Sequence, residues 1–216
     1  MKLELALRPI GLLTIGYAAP GYLVDVPFYR IGGTLVIPGS TVKGVLRSSA
    51  HRIAPWLGMV SCGEVEPREM AAKHAALKPM KGEVCEVCEL FGAPGRRSPS
   101  RLRVSMFKPV GAVRTVKVPQ VSLEDSTLRA ARGKLYVREA IAPFTEFKGV
   151  ITVEPCEAKH ARLTLAAIVN ARFEPMGRGG LVDFKLLNYE ASNSEIDDQC
   201  RMLIDTLRRW FYYEVV

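Results

Sequence analysis

The sequence predicts an α+β fold with a ferredoxin-like core, and three observations point to it. Residues 2 to 8 alternate apolar and polar side chains, the pattern of a half-buried strand. Apolar residues recur at helical spacing after Pro38-Gly39. Later signals complete an order of β–α–β, insertions, and β–α–β, which suits an α/β sandwich of this kind.

Each element has its own justification. In the first strand Leu3, Leu5 and Leu7 oppose Lys2, Glu4 and Arg8. Residues 10–38 are rich in Gly, Pro and aromatics and read as a loop or hairpin ending in a strand at Thr34–Ile37. Ser40 is the expected helix N-cap; Val42, Val45, Leu46, Ser49 and Ile53 then share one face, and Pro55 ends the run. Residues 58–100 hold three of the five cysteines without clear periodicity, so they read as a cysteine-rich insertion. Basic and β-prone residues alternate over 103–138, predicting a long exposed hairpin within a second insertion at about 101–140. Phe147 to Val153 is a strand and Ala158 to Arg172 a helix rich in Ala, Leu and Ile. A Gly177-Arg178-Gly179-Gly180 loop, a strand from Leu181 to Leu187 and a helix from about Ser194 to Phe211 complete a single domain over residues 1–216.

With 216 residues and 48% apolar content the chain can build a packed core, which excludes a disordered protein. The uncharged stretch from Pro9 to Val24 is too short and too rich in Gly and Pro to span a bilayer. No charged-then-apolar leader is visible, so the expected location is cytoplasmic, with no membrane partner. The net charge of +8 is unevenly placed: residues 96–138 carry eleven Lys or Arg against Glu124 and Asp125. That one segment is +9 and the remainder −1. A cationic block of this kind suits a polyanion, because each cation that meets a phosphate releases a counterion.

Three constellations could carry chemistry. In Ile37-Pro-Gly-Ser-Thr-Val-Lys-Gly-Val-Leu-Arg47, a glycine turn leads into a helix whose first N–H groups, at Ser40, could hold a phosphate. Lys43, Arg47 and His51 continue along one face of that helix. The spacing of a P-loop is absent. In the insertion, Cys85-x-x-Cys88 has the spacing that lets two thiolates share one tetrahedral ion, and Cys62 and His74 could complete a structural zinc site. A reduced pair or a disulfide are the other readings of these cysteines. Cys156 and Cys200 read as core thiols. The Gly177–Gly180 loop permits close backbone approach, to RNA or to the first helix.

Taken together, these residues resemble the RAMP superfamily of CRISPR proteins, and most closely the repeating backbone subunit of type III RNA-guided effector complexes. The resemblance runs from about Leu3 to Leu187. It rests on Ile37-Pro-Gly-Ser-x-x-Lys43-Gly-x-x-Arg47, Cys85-x-x-Cys88-x-Leu-Phe91-Gly92, a "thumb" hairpin from Glu124 to Phe147, and the glycine-rich loop. It implies an RRM-like core that stacks head to tail into a homo-oligomeric filament along a guide RNA, beside other subunits of the complex. The Ser40, Lys43, Arg47 and His51 helix and Gly177, Arg178, Gly179 and Gly180 would hold the guide. Arg129, Arg132, Lys134 and Arg138 of the hairpin would wedge between guide and target RNA. Asp25 lies where active relatives carry an aspartate that cuts target RNA. Such a carboxylate can act as general base on a 2′-hydroxyl or help to hold a divalent ion, Mg or Mn, with Arg30 neutralising the developing charge. The chain departs from the family pattern where Leu23-Val24 precede Asp25 and Leu181-Val182 follow the glycine loop.

The same residues leave other readings open. One is an inert scaffold of the same complex. Another is a repeat-RNA-processing endonuclease using a histidine, for which His51 lies on the Lys43 face, His74 serves better as a ligand and His160 is expected on a helix surface. A zinc-stapled RNA-binding protein outside this family is the last.

Overall fold

The computed structural model describes residues 1–17, 24–64, 66–81, 84–94, 99–127 and 129–211, without the side chains of 77–81, 132 and 133. Strand β1 (Lys2–Pro9) forms as its alternation predicts, with Leu3, Leu5 and Leu7 fully buried. It lies at the centre of an antiparallel sheet, between β8 (Phe147–Val153) and β9 (Val182–Glu190). β4 (Leu102–Val104) flanks β8, giving the strand order β4-β8-β1-β9. A short β5 (Lys108–Pro109) also pairs with β8.

Two helices connect these strands, so the chain runs β1, α1, β4, β8, α4, β9. Helix α1 (Gly39–Ile53) buries Val42, Val45, Leu46 and Ala50; α4 (Ala158–Ala171) buries Leu163, Leu165 and Ile168. All of these share one core with Leu3, Leu5 and Leu7. Between the helices, Ser49 Oγ donates to the Ala167 carbonyl at 2.7 Å and Asn170 Nδ2 donates to Ser49 Oγ at 3.0 Å. Helix α5 (Asp198–Leu207) packs on α4 and β9 and is capped by Asp197, whose Oδ1 accepts from the Cys200 N–H at 2.8 Å. It is shorter at both ends than the sequence suggests. Cys200 is buried in the core and Cys156 half-buried.

Ser40 is not the N-cap. The helix starts one residue earlier, after an extended Pro38 with no side-chain cap, and Ser40 is exposed in the first turn. The reason lies in Gly39: a Cβ there would sit 2.2 Å from the Val104 carbonyl oxygen, so only glycine lets the first turn tuck beneath β4. At its far end α1 stops at Ile53, and Pro55 sits in a 3₁₀ turn over Ala54–Leu57.

The cysteine-rich segment contains two helices, α2 (Pro67–Lys81) and α3 (Glu86–Phe91), that apolar periodicity does not announce. Over residues 67–76 of α2, only Met70 and His74 are buried. The basic hairpin is shorter than expected. Its ladder pairs β6 (Thr115–Leu123) with β7 (Ala130–Ile141), whereas 102–104 and 108–109 join the main sheet because Leu102 and Phe107 are fully buried there. A small hairpin, β2 (Arg30–Ile31) and β3 (Thr34–Leu35), precedes α1.

Candidate nucleic-acid interface and metal centre

At the foot of the β6–β7 hairpin three segments distant in sequence meet. Leu13 bridges Ile141, Gly16 bridges Phe28, and Val26 runs parallel to Arg138. The glycine-rich loop lies against the first of these segments. Gly177 has φ +59°, and a Cβ there would stand 2.2 Å from the Thr14 carbonyl oxygen. The Arg178 N–H donates to that same oxygen at 3.0 Å. The glycine therefore serves close approach to residues 13–15 and not to the first helix.

This packing gathers several of the expected site residues. Arg138 Nη1 donates to Thr14 Oγ1 at 2.8 Å and to the Arg178 carbonyl at 3.4 Å. The exposed Arg178 guanidinium lies 5.9 Å from the centre of the Tyr136 ring. Asp25 Oδ2 accepts from the Val137 N–H at 2.6 Å. Gly16, Tyr17, Asp25, Val26 and Arg178 line one open cleft of about 290 Å³. Tyr17 and Tyr136 were not singled out in the sequence. The available signal was aromatic residues beside basic ones, as in Tyr136-Val137-Arg138.

Arg30 does not line this cleft. Its guanidinium forms a two-pronged pair with Glu139, at 2.7 and 2.6 Å, and donates to the Phe28 carbonyl at 3.0 Å. Glu139 also accepts from the Phe28 N–H at 3.0 Å, and the Arg30 hydrogen bond holds its carboxyl below the usual range. The pair anchors the loop that carries Asp25 to strand β7.

Further out on the hairpin, Arg129 and Lys134 are exposed, together with the apolar Val121, Leu123 and Leu135. Val121 and Leu135 stand opposite each other in the ladder. The Arg132 side chain lies outside the described residues.

A second constellation forms in the insertion. The ligand atoms of Cys62, His74, Cys85 and Cys88 all lie within 4.8 Å of one another, and all four residues are buried. Cys85 caps α3, its Sγ accepting from the Cys88 N–H at 3.5 Å, while Cys62 Sγ is 3.7 Å from Cys88 Sγ. The hydrogen bond shared with Cys88 pulls the Cys85 thiol far down and pushes that of Cys88 up. His74 Nε2 is buried without a hydrogen-bond partner, a costly state for an imidazole nitrogen that a metal bond would relieve. Sulfur and imidazole donors in a closed set of four fit zinc in a structural role.

Lys43, Arg47 and His51 are half-buried, with polar contacts to this segment and its flank. Lys43 Nζ donates to Ser100 Oγ at 2.7 Å and to the Leu102 carbonyl at 2.9 Å, and burial lowers its pKa. Arg47 Nη2 lies 3.3 Å from both Met70 Sδ and Cys88 Sγ. His51 Nδ1 is 2.7 Å from Ser61 Oγ, and burial lowers its pKa too.

His160 is 1% exposed, not on a helix surface. Its Nδ1 accepts from the Glu157 N–H at 3.2 Å in a capping box, and its Nε2 faces Glu89 Oε1 at 3.3 Å. Glu89, Glu157 and His160 stand close enough to share an ion, but Arg101 and Lys159 are already among them, at 2.9 and 3.1 Å from Glu89. The cluster is an ionic clasp between α3 and α4.

Among the described residues no helix is long and apolar enough to cross a membrane. In comparisons with known proteins, the family model described as the RAMP superfamily matches residues 11–192, from the segment that meets the hairpin through β9. No curated protein matches the chain.

Proposed function

Since the chain belongs to the RAMP superfamily, we propose that it is a guide-RNA-binding backbone subunit of a type III CRISPR effector complex that cuts target RNA through Asp25. The superfamily supports a CRISPR-associated RNA-binding protein. The finer reading rests on one observation: Asp25, Arg178 and the foot of the basic hairpin converge on one open cleft. The proposed core is ferredoxin-like, a reading supported by its β–α–β–β–α–β order and the strand order β4-β8-β1-β9.

In this reading RNA crosses the glycine loop at Gly177, Arg178, Gly179 and Gly180 and runs out along Arg138, Lys134, Arg132 and Arg129, with Ser40 exposed at the start of α1. Target RNA pairs with the guide beside the hairpin, and copies of the subunit follow one another along the guide in the cytoplasm, next to other subunits. Asp25 takes the proton of a 2′-hydroxyl. The freed oxygen attacks the adjacent phosphorus and the 5′-oxygen of the next nucleotide leaves, taking up a proton from water, giving a cyclic phosphate and a 5′-hydroxyl end. Arg178, which lines the cleft, is better placed than Arg30 to meet the charge on the phosphate. A single carboxylate offers a Mg or Mn ion one ligand, so its other oxygens would come from RNA and water. The zinc site has a structural part, holding α2 and α3 together.

Asp25→Ala in the reconstituted complex tests the cleavage step: target cutting should be lost with guide binding retained. Undiminished cutting would leave only the scaffold reading, which the hydrogen bond from Val137 to Asp25 favours. Repeat-RNA processing by a histidine has less support, because His51, His74 and His160 are each engaged inside the protein.

A further inference from the structure

The cationic stripe of α1 has an internal use that its sequence does not suggest. Lys43, Arg47 and His51 stand at i, i+4 and i+8, and each meets a different part of the metal-binding segment. His51 holds Ser61, the residue before Cys62. Arg47 reaches the centre itself, 3.3 Å from Cys88 Sγ. Lys43 holds Ser100, whose hydroxyl donates to the Leu90 carbonyl of α3 at 3.0 Å. The lead-in, the centre and the lead-out of the segment are thus gripped by one helix face.

Charge explains the middle contact. Three thiolates and one neutral imidazole around Zn²⁺ leave the site with one net negative charge, buried away from water. Such a charge needs a partner, and a guanidinium is suited to it, being always charged and weakly hydrated. Among the described cations, Arg47 is the one whose guanidinium hydrogen-bonds a ligand sulfur.

We propose that Arg47 is the counter-charge of the metal centre, a positioning residue that sets its affinity for zinc, with Lys43 and His51 docking the segment on either side. The inference rests on the zinc reading of the four ligands. It gives the most specific motif of the chain a second purpose, the coupling of α1 to the insertion.

The test uses the full chain with Zn²⁺ under chelator competition, and Co²⁺ as a spectroscopic probe of thiolate ligation. Wild-type protein should bind one ion. Arg47→Lys, which keeps the charge, should stay within a few-fold of it. Arg47→Met should still bind one ion but about 10- to 100-fold more weakly, the usual cost of removing a group that supports a metal ligand. Equal affinity in wild type and Arg47→Met overturns the proposal, as does an equal loss in Arg47→Lys, which would mean that shape and not charge matters. A fall in RNA affinity with zinc affinity unchanged would make Arg47 an RNA ligand instead, again overturning it. If wild type and Cys88→Ser are alike in binding no ion, the zinc reading fails and the counter-charge with it, whatever the Arg47 variants do.

Discussion

At the scale of single residues, His160 both caps α4 and faces Glu89 of α3, and the cap holds only while the ring is neutral. The Glu157 N–H can only donate, so Nδ1 must be unprotonated to accept from it. Burial is the largest influence on the ring and holds its pKa below the ordinary 6.5; Glu89 and Glu157 oppose that shift, and Arg101 and Lys159 add to it. The unfolded chain therefore takes up a proton near pH 6.5 that the folded chain refuses until lower pH. Stability from this group is fully present above pH 6.5 and is lost as pH falls toward the folded value. The slope should approach about 1.4 kcal/mol per pH unit at most. Urea midpoints measured from pH 7 to 5 should fall more steeply for wild type than for His160→Gln, and parallel profiles would remove His160 from the account. Nothing in the sequence pattern revealed this role: the partners Glu89 and Arg101 are 71 and 59 positions away, and only the fold brings them together. The commitment of Arg30 to Glu139 was equally hidden, because the two are 109 residues apart.

Among the elements, those that bury one regular face were the ones the sequence made plain. β1 alternates Leu3, Leu5 and Leu7 with polar residues, and α1 repeats Val42, Val45 and Leu46, because each packs one side on a common core. Over residues 67–76, helix α2 offers no such face. Met70 and His74, one turn apart, are its buried residues over 67–76, and the second meets three sulfurs instead of a hydrophobic core. Its stability should accordingly depend on metal. Chelation of zinc-loaded protein should open residues 67–91 to protease and reduce the helical signal while the sheet stays intact; unchanged resistance would mean that α2 and α3 hold without an ion. The β6–β7 hairpin lies at the other extreme, its tip exposing Arg129 and Lys134. Neutralising Arg129, Arg132 and Lys134 together should lower the slope of log affinity against log salt by about 2 for single-stranded RNA. An unaltered slope would show these charges to be mere solvated surface.

For the molecule as a whole, the described cations of residues 96–138 divide between two places, Arg96 and Arg97 lying outside the described residues. Arg101, Arg103 and Lys108 lie in or beside the main sheet, and Arg101 is spent on Glu89 and Glu157. The cations from Arg114 onward belong to the hairpin and its foot, where Arg138 meets the glycine loop at Arg178. The sheet thus acts as a frame that carries the Cys/His module on α1 and a basic arm beside the Asp25 cleft. Alternation and charge blocks are local, so the basic hairpin was legible in the sequence. The sequence could not show that the Asp25 loop joins the arm, since that depends on the Val26–Arg138 bridge across more than a hundred residues. The central claim is that this arm and cleft hold a CRISPR guide, and the most direct measurement is to recover and sequence the RNA bound to the protein purified from its own host. The account predicts RNA of defined length carrying CRISPR-repeat sequence. Protein free of RNA, or bound to cellular RNA of random length and sequence, would contradict it.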